Sequence, residues 1–220
     1  MRNGHGDLGF PKREETKVFV DYDREKPPGR DHPWTFAIAN PEERYVDFKA
    51  HPDQIPLALP DFRPWSHYPA IQRFYSLLTW LNGADSIFES NDCGLRPPRQ
   101  DNAPPAPIKH AFQADPIVMH ARLTIIFRDL VWNTSVPTVD TLKTAIHDGL
   151  RDNVPSIPCV VKIGEWRHFF TQISKEGRAV TFICWAWGED EAMAMGNLNT
   201  TFEAIHGCLQ WISNGTKTRK

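Results

Sequence analysis

The sequence predicts an α+β fold, in which a mainly antiparallel sheet carries three amphipathic helices behind a loop-rich N-terminal half. The first observation is a hairpin pattern over residues 165–187, whose first strand alternates between polar and apolar residues. The second is a long helical stripe after it, and the third is the concentration of proline before residue 120. The return strand of the hairpin is apolar on both faces, which indicates a central strand of the sheet.

The hairpin and the helix after it are the clearest elements. The turn is expected at Ser174–Gly177, with Gly177 at a positive φ. Acidic residues at 189–191 favour a helix start, because the helix dipole stabilises negative charge there. The predicted helix covers residues 190–212 and has an apolar stripe formed by Met195, Leu198, Phe202, Ile205, Leu209 and Ile212.

Shorter elements are expected before the hairpin. Helical stripes predict two further helices over residues 70–82 and 138–151. Alternating or apolar runs predict strands over residues 17–22, 34–39, 44–49, 118–128 and 159–163. Two proline-rich stretches are predicted to be loops. Residues 51–69 are expected to lack regular structure, and residues 97–107 are long enough for a lid, a binding loop or a linker.

These elements suggest a flexible arm at residues 1–16 and a single domain over residues 17–220, with a subdivision near residues 97–116 as the alternative. The hydrophobic content of 40% and charged content of 24% are ordinary for a globular protein. A net charge of −2 gives no general attraction to nucleic acid or to anionic membranes, so neither partner is favoured.

The predicted location is cytoplasmic. No run of about 18 apolar residues is present to span a membrane, and the first residues lack the apolar stretch of a secretory signal. The four cysteines match no metal-ligand spacing, and Cys159, Cys184 and Cys208 lie in apolar segments as core residues do. Free cysteines of this kind are typical of a reducing compartment.

The preferred hypothesis is a non-catalytic binding protein with no metal and no cofactor. The sequence contains no phosphate-binding glycine-rich loop, GxSxG elbow or dinucleotide fingerprint. A macromolecular partner, most simply a protein, would be engaged through proline-rich loops and the aromatic rim of the hairpin. Core placement is favoured for most of the eight tryptophans, but aromatic and arginine side chains also form interface hot spots. The candidate binding residues are Trp185, Trp187, Arg167 and His168.

A metal-dependent nuclease or phosphodiesterase is the alternative hypothesis. Asp47 and Lys49 form an acid-x-Lys pattern on a predicted strand, and Asp31 precedes it by a loop and a strand. In such enzymes the acids bind Mg²⁺ and the lysine stabilises the attacking water or the charged intermediate. A pattern of this length also arises by chance, in which case these residues are solvated charges on a half-exposed strand.

Residues 87–93 are dense in functional groups. Glu89, Asp92 and Cys93 together with a histidine would suit a nucleophile and its base. The favoured interpretation is a polar turn after a helix, in which Ser90 and Asn91 form hydrogen bonds with the backbone.

Overall fold

The computed structural model describes residues 18–21, 30–33, 45–153 and 158–217. Within them the chain forms an α+β structure, as the sequence predicts. The strands are β1 (Val18–Val20), β2 (Arg30–His32), β3 (Phe88–Gln100), β4 (Ile117–Phe127), β5 (Cys159–Phe170) and β6 (Lys175–Gly188). The helices are α1 (Pro69–Asn82), α2 (Ala106–Lys109), α3 (Leu130–Asn133), α4 (Val136–Asn153) and α5 (Glu191–Lys217). None of the described helices is long and apolar enough to cross a membrane.

The described strands form one sheet. Its order is β1-β5-β6-β4-β3, with β2 also paired to β5. The long strands β3, β4, β6 and β5 are antiparallel to their neighbours, and the short strands β1 and β2 run parallel to β5. β6 is central, as its two apolar faces predict, whereas β3 lies at an edge of the described sheet.

The inner face of the sheet, as we name it, is covered by α1, α4 and α5. Phe74 of α1, Ile146 of α4 and Phe202 of α5 are buried against sheet residues such as Leu123 and Phe182. The stripe of α5 predicted by its periodicity therefore supplies much of the core. The buried cysteines behave as core residues. All four cysteines are free, and burial raises the pKa of the Cys208 thiol to about 11.

The opposite, outer face carries smaller apolar clusters at its two ends. Under α2 the buried members are Ile108, Val118, Val160, Trp185 and Trp187. At the far end they are Ile126, Phe170 and Ala179. Between these clusters lie the polar and charged side chains of β4, namely His120, Arg122 and Thr124.

The hairpin turn differs from the prediction. The residue with a positive φ is Ser174, at 52°, and Gly177 already belongs to β6. Gly177 is needed for a close approach instead, because a Cβ there would lie 2.6 Å from the carbonyl oxygen of Asn133. Gly177, near the start of β6, thus packs directly against Asn133, the last residue of α3.

The N-terminal half contains less strand than predicted. The expected strand at residues 34–39 and the arm at residues 1–16 lie outside the described residues. In the segment 44–49, residues 45–47 are irregular and residues 48–50 form a turn. The loop at 51–69 is more regular than predicted, since it contains 3₁₀ helices at Pro52–Gln54 and Pro60–Trp65.

β3 is the largest departure from the sequence prediction. It runs unbroken through the segment expected to be a polar turn and into the expected loop at 97–107. Its pairing with β4 shifts register between Ser90 and Asp92 and again between Arg96 and Arg99. Prolines 97 and 98 fall in the second shift. An edge strand tolerates proline there, because the missing N–H is not required by a neighbouring strand.

Candidate functional site

A bulge at Asn91 creates the most distinctive cluster of polar side chains. The register shift between Ser90 and Asp92 leaves Asn91 as the extra residue of β3. Asn91 and Asp92 therefore both contact outer-face residues, although successive strand residues normally point to opposite faces. Ser90 points inward and accepts a hydrogen bond from Asn82 of α1.

Asn91 bridges two buried histidines from different strands. Its Oδ1 accepts a hydrogen bond from Nδ1 of His32 on β2, at 2.7 Å, and its Nδ2 donates to Nε2 of His168 on β5, at 2.6 Å. Nδ1 of His168 then donates to the carbonyl oxygen of Trp166, at 3.2 Å. The three side chains are buried, with exposed fractions of 1% for His32, 4% for Asn91 and 2% for His168.

Glu89 forms the other end of this chain. One carboxylate oxygen lies 3.3 Å from Nε2 of His32, and the other accepts a hydrogen bond from the ammonium of Lys49. Burial alone opposes ionisation of Glu89 and would raise its pKa. The hydrogen bonds and positive charges of His32 and Lys49 outweigh burial, so the pKa lies below its usual value of 4.5. Glu89 is therefore a buried carboxylate at neutral pH.

Tyr45 packs against His32 at one side of this hydrogen-bonded chain. Its ring meets His32 edge-on, with 5.4 Å between the ring centroids. Burial first, and then the negative charges of Glu89 and Asp47, raise the pKa of Tyr45 above its usual range. The phenol thus keeps its proton, and its aromatic ring covers the imidazole.

The chain ends on two acceptors, the Glu89 carboxylate and the Trp166 carbonyl oxygen. Between them, four contacts connect the His32 ring, the Asn91 amide and the His168 ring. Residues from three strands are therefore joined by one buried polar chain.

A cleft of about 260 Å³ opens beside Asn91. Its first wall is largely apolar and comes from the segment before α1, with side chains Tyr45, Val46, Phe48, Leu57, Ala58, Leu59 and Pro60. Its second wall is the bulged part of β3, formed by Ser90, Asn91, Asp92 and Cys93. Leu57 is 60% exposed, which is unusual for a leucine that lines a cleft. The buried histidine chain thus reaches this mixed apolar and polar cleft through Asn91.

The three residues of the metal hypothesis make other contacts in the structure. Oδ1 of Asp47 accepts the backbone N–H of Lys49, at 2.9 Å, which stabilises the local turn. The Lys49 ammonium pairs with Glu89, and Asp31 is exposed on β2 opposite Phe169. Among the described residues, no group of three or more His, Cys, Asp and Glu side chains could hold a metal ion. The strand that the hypothesis requires at 44–49 is also missing from its described part.

The structure separates the four candidate binding residues. Trp185 and Trp187 are buried under α2, and the indole of Trp187 donates a hydrogen bond to Asp101, at 2.7 Å. Core placement, favoured by the sequence, therefore holds for both rings, and neither is accessible at the hairpin rim. Arg167 is exposed and pairs with Glu176 at 3.1 Å. His168 alone belongs to the buried chain.

Sequence reasoning missed the central residues of the site. Glu89 stood out among the functional groups of residues 87–93, but a turn was expected there instead of a strand. His32 and Asn91 gave no local signal, because their contact depends on strand pairing between distant segments. Comparison with protein-family models, with curated proteins and with solved structures finds no match for this chain.

Proposed function

We propose that this protein is a binding protein that accepts an extended segment of a protein partner in the cleft between residues 45–60 and β3. The observation that carries the proposal is the exposed Leu57 in the apolar wall, facing the polar wall of an edge strand. Peptides often bind along edge strands, where the backbone provides affinity and side-chain pockets provide specificity. The proposal retains the binding role predicted for the proline-rich loops in the segment 51–69 and gives up the hairpin rim, because Trp185 and Trp187 are buried.

The size of the cleft favours this occupant over a free small molecule. Pockets for drug-sized ligands measure about 300–1,000 Å³. At about 260 Å³, the cleft is better suited to one or two side chains inserted from a larger partner. Apolar groups would contact the wall at Leu57, and polar groups would reach Asn91 and Asp92.

The histidine chain supports binding more than acid–base catalysis. Both ring nitrogens of His32 and both of His168 are engaged in hydrogen bonds within the chain. Neither ring therefore offers a nitrogen to a molecule in the cleft, as a general acid or base must. Its role is to hold Asn91 in place, which is useful for a preorganised binding surface.

Selection from a random dodecapeptide library on the wild-type protein tests the proposal. Selected peptides should share an apolar residue, and fluorescence anisotropy should show Leu57→Glu weakening their binding by about tenfold or more. Val131→Glu is the matched control, because Val131 is also an exposed apolar residue and lies away from the cleft, on α3. Its dissociation constant should stay within about twofold of wild type.

Two results would contradict the proposal. One is that no peptide is enriched over an empty-resin selection. The other is that Leu57→Glu and Val131→Glu bind the selected peptides equally well.

A further inference from the structure

The edge strand that forms one wall of the cleft continues into a basic region. Arg96 and Arg99 are exposed on β3 and lie opposite His120 and Val118 of β4. Within the described part of the chain, neither arginine makes an ion pair. Their positive charges therefore face solvent next to the proposed binding cleft.

Arg122 belongs to the same region but is already held in place. Its guanidinium lies 3.0 Å from the Asp92 carboxylate and stacks over the Trp166 ring at 5.2 Å from the centroid. Arg122 is thus compensated by Asp92, whereas Arg96 and Arg99 are not compensated within the described residues.

The pKa of His120 reflects the local excess of positive charge. Burial, followed by the charges of Arg96, Arg122 and Arg99, lowers the pKa of His120 to about 4. The His120 ring is therefore neutral at physiological pH, so it adds no charge to those of the neighbouring arginines. The field that depresses its pKa would stabilise an anionic group placed on this part of the strand.

The spacing along β3 connects the basic region to the cleft. Asp92, in the cleft wall, is four residues from Arg96. At about 3.3 Å per residue, that separation is about 13 Å along the strand. An extended peptide that follows β3 covers the same distance with about four of its own residues.

We infer that the partner segment is acidic, with Asp or Glu side chains about four residues from the apolar residue that enters the cleft. This inference rests on the proposed function and specifies the chemistry of its partner. Arginine suits the role because its planar guanidinium binds carboxylates through two hydrogen bonds. The apolar residue would contact Leu57, and the carboxylates would contact Arg96 and Arg99.

The selected dodecapeptides provide the test, each compared with a version in which Asp and Glu are replaced by Asn and Gln. The double variant Arg96→Gln/Arg99→Gln should weaken binding of the acidic versions about tenfold at low salt and leave the amide versions unchanged. Raising the salt to about 0.5 M should remove most of that difference, because exposed charges are screened. Arg167→Gln is the control, since Arg167 is an equally exposed arginine on β5.

Three outcomes would overturn the acidic partner. The first is a set of selected peptides with no excess of acidic residues, and the second is amide versions that bind as tightly as the acidic ones. The third is a double variant that binds the acidic peptides like wild type but binds a single-stranded oligonucleotide, tested as a second anionic probe, more weakly. If Leu57→Glu still abolishes peptide binding in these cases, the proposed function stands without an acidic partner. If no peptide binds the wild-type protein, both the proposed function and this inference fail.

Discussion

Two buried glutamates lie on opposite faces of the same sheet, and they differ in what they hold together. Glu165 points to the inner face, where its carboxylate pairs with Lys143 of α4 and Arg178 of β6, each at 2.5 Å. Glu89 points to the outer face, where it pairs with His32 and Lys49. The first cluster joins a helix to the sheet. The second joins peripheral segments to an edge strand.

The difference shows which buried charge joins two layers of the core and which lies beside the cleft. The partners of Glu165 are ammonium and guanidinium groups, and the Lys143 side chain has no exposed surface. Glu89 has a titratable imidazole as one partner and a half-exposed lysine as the other, and its chain continues to the cleft through Asn91. We therefore expect substitutions in the Glu165 cluster to cost more stability than those in the Glu89 cluster.

The largest effect is expected for Glu165→Ala. It removes the carboxylate that lies 2.5 Å from the fully buried Lys143 ammonium, which keeps Asp140 at 3.1 Å, and it also removes the partner of Arg178. Removing one partner of a buried ion pair typically costs about 3–5 kcal/mol, because the other charge stays desolvated. Urea denaturation followed by circular dichroism should show this loss in the free energy of unfolding.

A double variant tests the cause of that loss. Lys143→Met/Glu165→Leu replaces the closest buried pair by apolar side chains of similar size, so the part of the loss that comes from the Lys143 charge should return, although Arg178 still lacks Glu165. If the double variant is no more stable than Glu165→Ala, the cost does not come from the buried Lys143 charge.

The next effect concerns the amide that joins the two histidines. Asn91→Leu keeps a similar side-chain volume but removes the hydrogen-bond partners of His32 and His168. A buried polar group left without a partner costs about 1–3 kcal/mol, so we expect a loss of about 2–4 kcal/mol in unfolding free energy. The neighbouring variant Ser90→Ala, which loses a hydrogen bond to Asn82, should cost only about 1 kcal/mol.

The helices and the hairpin could be predicted because the apolar residues that each buries in the core follow a regular pattern in the sequence. The stripe of α5 at Leu198, Phe202 and Ile205 is visible without any knowledge of its neighbours. β3 could not be predicted in this way, since its first residues are mostly polar and its sequence contains Pro97 and Pro98, which are rare in strands. Its edge position and its register shifts make both features tolerable.

The candidate site was less predictable than the fold, because its contacts join distant parts of the chain. Asn91 is 59 residues from His32 and 77 residues from His168. No sequence period reports such a contact, which arises only when β2 and β5 pair and the bulge turns Asn91 outward. The acid-x-Lys pattern is the opposite case. Asp47 and Lys49 are close in sequence, but they have separate structural roles.

A smaller effect, dependent on pH, is expected for Glu89→Gln. The amide keeps the shape but replaces charged hydrogen bonds by neutral ones, which should cost about 1–2 kcal/mol at pH 7. The pKa of Glu89 is lower in the folded protein than its usual value of 4.5. Its contribution to stability is therefore complete above pH 4.5 and is lost as the pH falls through the folded-state pKa.

Urea denaturation of wild type and Glu89→Gln across this range measures the effect. The difference in unfolding free energy should shrink on acidification below the usual glutamate pKa. Glu203→Gln is the control, because Glu203 is exposed in a surface pair with Arg73 and should give almost no difference at any pH. A difference that grows as the pH falls would show that Glu89 is destabilised as a carboxylate.

The smallest effect is expected for Lys49→Met, and its meaning comes from comparison with Lys143→Met. Lys49 is 39% exposed in its side chain, so the lost ion pair should cost less than about 1 kcal/mol. Lys143→Met leaves the buried Glu165 carboxylate with Arg178 as its cation and should cost about 3 kcal/mol. Equal costs in urea denaturation would mean that the Lys49 contact holds the segment at residues 45–60 as firmly as Lys143 holds α4. The first wall of the cleft would then be held as firmly as the helix layer. In that case a partner would not have to order this wall in order to bind.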